Sequence, residues 1–306
     1  MSVKLRLATR ESPLAMWQAH HVAKLLRASD PALEVELLPM TTQGDQRLNQ
    51  PLAEIGGKGL FLKELEQAMM DNRADFAVHS LKDVPYELPP GFVLAAVLER
   101  HDPRDALVSG KYSSLSELPK GAVVGTSSLR RQAQLLNRRP DLQVKSLRGN
   151  VNTRLGKLDS GLYDAIILAT AGLERLGMED RIAQRIDVSD SLPAVGQGVV
   201  TIECRKDDER CLAAMKKLHH PATQKLITAE RTFSETLAGS CQLPMAANAV
   251  SVGDSMTLDG LVASADGCQL LRENLTGKDD EPAKLGAALA GRLMAAGAGA
   301  ILDAAR

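Results

Sequence analysis

The sequence predicts an α/β protein of two lobes with mainly parallel sheets, followed by a small α+β domain at the C-terminal end. Three observations carry this expectation. Short apolar or alternating stretches take turns with stretches apolar at helical spacing, the pattern of βα units. The polar, proline-bearing segment LERHDPRDAL at 98–107 separates two such series, as a hinge would. Beyond about residue 216 the pattern changes to one helix, short alternating stretches and a closing helix.

In order, Val3, Leu5 and Leu7 alternate with Lys4 and Arg6, the period of a strand. Ser12-Pro13 then supplies a helix cap and a proline suited to the first helical position. Leu14, Trp17, Val22, Leu25 and Leu26 give that helix one apolar face. A strand follows over 34–38. Phe61, Leu65 and Met69 stand at helical spacing in a helix over 59–70. Strands over 75–79 and 92–98 complete the first series.

Past the hinge, 122–125 reads as a short buried strand, and Thr126-Ser127-Ser128 caps a helix over 129–138. A strand over 143–147 and a helix over 151–159 follow. AIILA at 165–169 is apolar throughout, the mark of a strand covered on both faces, and runs into a helix over 172–176. A loop holding Pro193, Gly196 and Gly198 leads to a strand over 199–203. The C-terminal part reads as a helix over 222–237, alternating strands with turns at Gly253-Asp254 and Asp266-Gly267, and one long Ala/Gly/Leu helix from Pro282.

Composition narrows the function. The chain has 306 residues, with 37 Lys and Arg against 38 Asp and Glu, a formal net charge of −1. That balance argues against a surface built throughout for nucleic acid or an anionic membrane. One Trp, three Tyr and four Phe are too few for a base-stacking platform. No stretch is long and apolar enough to cross a bilayer, and MSVKLRLATRESPL lacks the apolar core of a signal peptide. The cysteines Cys204, Cys211, Cys241 and Cys268 lack CxxC spacing, and the pairs His20-His21 and His219-His220 cannot each present two ligands on one helix face. The expectation is a cytoplasmic protein without a metal, bound neither to nucleic acid nor to a membrane.

Charge is distributed unevenly. Between 120 and 157 lie Lys120, Arg130, Arg131, Arg138, Arg139, Lys145, Arg148, Arg154 and Lys157, with Asp141 as the one acid, an excess of eight positive charges. Arg130 and Arg131 follow a helix start, where free backbone N–H groups already attract anions. Arg148 ends a strand before Gly149-Asn150, and Arg154 lies one turn into the next helix. Strand ends and helix starts of an α/β sheet meet at one edge, the usual ligand crevice, and arginine suits bidentate carboxylate or phosphate binding. Arg138 and Arg139 read instead as a solvated helix face.

Three further segments carry chemistry. HSLKDVP at 79–85 projects Lys82 and Asp83 from a strand end, where a fixed carboxylate can stabilise a cation or move protons; a turn aspartate before proline is the plainer reading. GGKGLF at 56–61 lacks the phosphate-loop pattern and reads as a surface loop or as a lid carrying Lys58 and Phe61. Cys241, in AGSCQLP between a helix and a strand, is a bland exposed thiol, a nucleophile or an attachment point.

Together these segments resemble the porphobilinogen deaminase family, the hydroxymethylbilane synthases of haem biosynthesis. The resemblance rests on ATRESPLAMWQA (8–19), GGKGLFLKELE (56–66), AVHSLKDVP (77–85), GTSSLRRQAQL (125–135), LRGNVNTRLGKL (147–158), LATAGLERLG (168–177), LPAVGQG (192–198) and GSCQLP (239–244). It implies two lobes like those of periplasmic binding proteins, the first formed by 1–98 with 199–215 and carrying the catalytic aspartate. The second spans 99–198 and binds carboxylates; the third domain, 216–306, carries the attachment cysteine.

The resemblance also implies a transferase. A dipyrromethane cofactor is held by a thioether to Cys241. Four porphobilinogen molecules condense onto it with loss of ammonia, and hydrolysis releases hydroxymethylbilane. Asp83 would hold pyrrole N–H groups and stabilise the cationic intermediate. Lys82, Ser128, Arg130, Arg131 and Arg148 would bind cofactor carboxylates, and Arg10, Ser12, Arg148, Arg154 and Arg175 those of substrate. Lys58 and Phe61 belong to the family's mobile loop. A monomer is implied. The chain departs from the family in having Gly239-Ser240 for a glycine pair and Ala246 for a glycine. The competing readings are a two-lobed binding protein for a carboxylated solute, which leaves the thiol loop unexplained, and an unrelated cysteine transferase, which has no base beside Cys241.

Overall fold

A computed structural model describes residues 3–46, 59–237 and 243–305. Chain contacts divide it into two units. One comprises the residues up to His101 together with Val199–Gln224; the other comprises Asp102–Gly198 and the chain from Lys225 onward.

The first unit is built on β1 (Val3–Arg10), α1 (Pro13–Ser29), β2 (Leu33–Met40), the short α2 (Gln43–Gln46), α3 (Lys63–Met70), β3 (Phe76–Ser80) and β4 (Phe92–Val97). Its strand order is β2-β1-β3-β10-β4, where β10 is Val200–Arg205. β1 runs parallel to β2 and β3, whereas β10 is antiparallel to both its neighbours. Helices cover both faces. Ala19, Val22, Ala23 and Leu26 of α1 pack with Cys211, Ala214 and Met215 of α7 (Glu209–Lys216) on Leu5, Leu7, Phe76 and Ile202. Leu65, Ala68 and Met69 of α3 pack with Ala8, Ala77 and Phe92.

The second unit repeats this order as β7-β6-β8-β5-β9, with β5 (Asp105–Val108), β6 (Val123–Gly125), β7 (Gln143–Lys145), β8 (Ala165–Ala169) and β9 (Gln184–Arg185). β6 is parallel to β7 and β8, and β5 is antiparallel to β8 and β9. The expectation of mainly parallel sheets is met: in each sheet four of the five strands run the same way, and one, β10 in the first and β5 in the second, is reversed. β5 and β10 are the first strands after the chain crosses at 99–104 and 193–199, so no βα crossover fixes their direction.

Between these strands lie α4 (Leu129–Arg138), α5 (Val151–Asp159) and α6 (Thr170–Arg175). α4 begins where the sequence places it, with the Ser128 hydroxyl accepting the Arg131 amide at 3.4 Å. Asn150 caps α5 through the Thr153 amide at 2.9 Å. Leu107, Val124, Leu135 and Ile167 fill one side of the sheet; Val108, Leu155, Ile166 and Leu168 fill the other.

The C-terminal part adds α8 (Pro221–Thr236), an antiparallel sheet β11-β12-β13 (Met245–Val252, Ser255–Ala263, Leu270–Lys278), α9 (Pro282–Ala295) and α10 (Ala298–Ala304). Phe233, Leu258, Leu289 and Leu293 lie in its core. A smaller cluster joins Ala246, Leu261 and Ala263 of this sheet to Ala133 of α4 and to Leu192. The expected single closing helix is two, bent by 81° at a break where Gly297 takes φ +101°. Among the described residues no single helix is long and apolar enough to cross a membrane.

Candidate functional site

In the first unit the ends of parallel strands collect the expected residues. β3 stops at Ser80, and Leu81–Asp83 forms a single 3-10 turn. Leu81 is buried and donates its N–H to the Val199 carbonyl at 2.9 Å, while Gln18 of α1 donates to the Ser80 hydroxyl at 2.8 Å. These anchors fix a turn that leaves Lys82 half-buried and Asp83 exposed. At the same edge β1 ends in Arg10, whose guanidinium lies 4.1 Å from the centroid of the Phe61 ring. Ser12 has the extended backbone of a helix cap, and its carbonyl accepts the Met16 N–H at 2.9 Å. Arg10, Ser12, Phe61, Lys82 and Asp83 therefore share the C-terminal edge of one sheet, where α/β folds place ligands.

In the second unit the same edge gathers arginines. Arg130 and Arg131 occupy the first turn of α4, Arg148 the loop after β7, and Arg154 the first turn of α5. Ser127 knits the two loops together, donating to the Leu147 carbonyl at 2.7 Å and accepting the Leu147 N–H at 3.1 Å. Arg154 donates to the Gly149 carbonyl at 2.7 Å. Arg175 ends α6 and donates to the Gly198 carbonyl at 2.7 Å. Arg130, Arg131, Arg148 and Arg175 are all buried. Burial lowers the Arg148 and Arg175 pKa values, that of Arg175 to about 10 against the opposing pull of Glu174, so both stay cationic at neutral pH.

The structure places Asp105 between Arg130 and Arg131. Full burial pushes its carboxyl up, and the guanidiniums of Arg130 and Arg131 overcome that, holding it well below the usual carboxylate range. Arg130 donates at 2.8 and 3.0 Å and Arg131 at 2.9 and 2.7 Å. Ser191 and Gln197 add bonds of 2.8 and 3.0 Å. The positive excess counted within 120–157 is thus smaller in three dimensions. Asp105 and Asp190, both outside that segment, pair with Arg130, Arg131 and Arg138, while Arg139 pairs with Asp141. Sequence reasoning missed Asp105; its one local signal was an acid opening the apolar stretch DALV.

A second group also went unread. His79 Nε2 lies 2.9 Å from Glu203 Oε2, both buried. Burial, with the charge of Glu203, pushes the Glu66 carboxyl up to about 7 against the pull of His79 and Lys63. Lys58 and Cys241 lie outside the described residues. Cys204 and Cys211 are buried, Cys268 is exposed, and no group of metal-ligating side chains occurs among the described residues.

Comparison with known proteins gives two family matches. A model for "Porphobilinogen deaminase, dipyromethane cofactor binding domain" matches residues 5–213, and one for "Porphobilinogen deaminase, C-terminal domain" matches residues 224–295. Similar solved structures include an ABC-transporter periplasmic substrate-binding protein from Coxiella burnetii, at 18% identity and TM-score 0.45, covering 72% of this chain and 94% of that one. A VFT2 domain of BvgS from Bordetella pertussis is 15% identical at TM-score 0.44, covering 70% and 86%. The methionine-binding protein MetQ is 14% identical at TM-score 0.45, covering 70% and 88%.

Proposed function

The chain belongs to the porphobilinogen deaminase family, and from that premise we propose how its own residues serve the reaction. As a member it is a transferase of porphyrin biosynthesis, a hydroxymethylbilane synthase, with a dipyrromethane-binding domain and porphobilinogen as substrate. The reading is that the dipyrromethane is held by a thioether to Cys241, and that four substrate units are added before hydrolytic release.

The residues present suit such a group. Guanidiniums and helix-start amides are the donors that carboxylates require, and the buried Nε of Arg130 has no protein acceptor. Arg130, Arg131, Arg148, Lys82 and Ser128 would hold cofactor carboxylates. Arg10, Ser12, Arg154 and Arg175, with Arg148, would hold those of substrate, and Lys58 and Phe61 would cover them. When bound, the cofactor supplies the pyrrole carbon onto which substrate condenses. Asp83 would accept pyrrole N–H groups, offset developing positive charge and relay the proton lost from carbon.

The single observation that carries this reading is the gathering of Arg130, Arg131, Arg148 and Arg154 at the helix starts and strand end of one sheet edge, where guanidiniums suit bidentate carboxylate binding. Buried thiols at Cys204 and Cys211 agree with a reducing, cytoplasmic setting, and a monomer is included in the reading. The test is intact mass of the purified protein. A two-pyrrole adduct, absent in Cys241→Ala, is expected; an unmodified and fully active protein would overturn the reading.

A further inference from the structure

The carboxylate of Asp105 ties Arg130 and Arg131, two of the three arginines of α4, to one point. Its Oδ1 accepts from Arg130 Nη2, Arg131 Nε, Arg131 Nη2 and Gln197 Nε2, and its Oδ2 from Arg130 Nη1 and Ser191 Oγ. The outer ends of the same side chains are tied to backbone. Arg130 Nη1 reaches the Leu192 carbonyl at 2.6 Å, Arg131 Nη1 the Ile167 carbonyl at 3.0 Å, and Gln197 Nε2 the Pro103 carbonyl at 2.6 Å. Three segments distant in sequence thereby meet on a single side chain: the start of β5, the first turn of α4 and the loop before β10.

One consequence follows from the geometry. Because one oxygen takes bonds from both guanidiniums, a shift of that atom turns both together. Misplacement by even an ångström degrades charge-assisted contacts, whose strength depends on alignment.

We propose that Asp105 is a positioning residue for carboxylate recognition, setting the orientation of Arg130 and Arg131 together without itself touching substrate. This rests on the carboxylate-binding role assigned to those arginines above, and extends it from the cofactor's carboxylates to those of the incoming porphobilinogen. It predicts that a disturbed Asp105 weakens binding rather than chemistry, since contacts to spectator carboxylates are made equally before and during reaction.

The experiment compares Asp105→Asn, Asp105→Glu, Arg131→Ala and Leu118→Ala as holoenzymes, each assayed well below its own melting temperature. Asp105→Glu keeps the charge but moves the carboxylate by one methylene, so it decides the matter if Asp105→Asn does not fold. Leu118→Ala opens a cavity in the same unit's core and serves as a control for lost stability alone. For the Asp105 variants, KM for porphobilinogen is expected to rise about tenfold or more with kcat within about threefold, as loss of a charge-assisted contact implies. A folded Asp105 variant that carries no dipyrrole, beside a loaded wild type, supports the proposal equally. In Leu118→Ala the melting temperature should fall while KM stays at the wild-type value. If the Asp105 variants lose stability yet keep wild-type KM while Arg131→Ala raises it, Asp105 is structural only and the inference fails. If Arg131→Ala leaves KM unchanged as well, the carboxylate role of the arginines fails instead.

Discussion

Gly267, in the turn between β12 and β13, lies against Ala133 of α4: a β-carbon on Gly267 would stand 2.6 Å from the Ala133 carbonyl oxygen and 2.6 Å from the Asn137 nitrogen. Gln132 and Asn137 of the same helix donate to the Ala265 and Gly267 carbonyls at 3.0 and 2.8 Å. The turn thus grips the outer side of the helix whose first turn holds Arg130 and Arg131. Gly267 also has φ +74°, a conformation that other residues adopt only with strain. Gly267→Ala should therefore lower unfolding stability by about 2 kcal/mol or more, from strain and overpacking together. Denaturant melts check this, and an unchanged midpoint would show that the turn does not press on α4.

Glu230 of α8 joins the loop before β10 to the C-terminal sheet. Its fully buried carboxylate accepts the Gly196 N–H at 2.8 Å and the Ala249 N–H at 2.9 Å. Glutamine has the same shape, but its amide nitrogen cannot accept a hydrogen bond. One backbone donor would then face another, so Glu230→Gln should cost about 1–3 kcal/mol of stability. A melting temperature equal to that of the wild type would sink this account of the loop.

Much of this organisation is legible in the sequence, for identifiable reasons. AIILA at 165–169 is a strand because both faces are covered, and a run without alternation announces that. α4 is legible over its whole length because Ser128 marks its start locally. β5 is not legible. It has four residues just past Pro103, and its strand character comes from pairing with Ala169, Leu168, Ile167 and Ile166 far along the chain. Asp105 was hidden for the same reason: its side-chain partners stand 25, 26, 86 and 92 positions away. The arginines were visible as a local excess, whereas their compensation required the fold. The break at Gly297 was masked by the alanines around it, which favour helix on either side.

Glu66 gives the first unit a pH dependence of defined sign. Its carboxyl is raised from an ordinary 4.5 to about 7 by burial and by Glu203, with His79 and Lys63 opposing. The folded state therefore binds this proton more tightly than the unfolded chain. The stabilisation is complete below about pH 4.5 and is lost as pH rises through about 7. Glu66→Gln keeps the shape and removes the ionisation. It should match the wild type near pH 4.5 and exceed it by up to about 3 kcal/mol at pH 8, by the usual conversion of pKa into free energy. Stability curves of the two proteins that run parallel from pH 4.5 to 8 would show that Glu66 is not held in this way.

Asp83 separates stability from chemistry more cleanly than any other residue of the site. The turn that carries it is held by Leu81, whose side chain is buried and whose N–H bonds to Val199, and by the Gln18–Ser80 contact next to it. None of these anchors uses the Asp83 carboxylate, which is exposed. Asp83→Asn should therefore leave the melting curve unchanged within about 0.5 kcal/mol, as for other exposed exchanges. If the carboxylate offsets a developing cation and relays a proton, an amide of equal size does neither, and kcat should fall by about 10²–10⁴. KM should change far less, because substrate carboxylates are assigned to Arg10, Ser12, Arg148, Arg154 and Arg175. Parallel melting and steady-state measurements on the one variant read both quantities. Near-wild-type turnover in a folded Asp83→Asn would remove Asp83 from the chemistry, whereas a collapsed melting curve would mean that the turn depends on a charge the structure leaves in solvent.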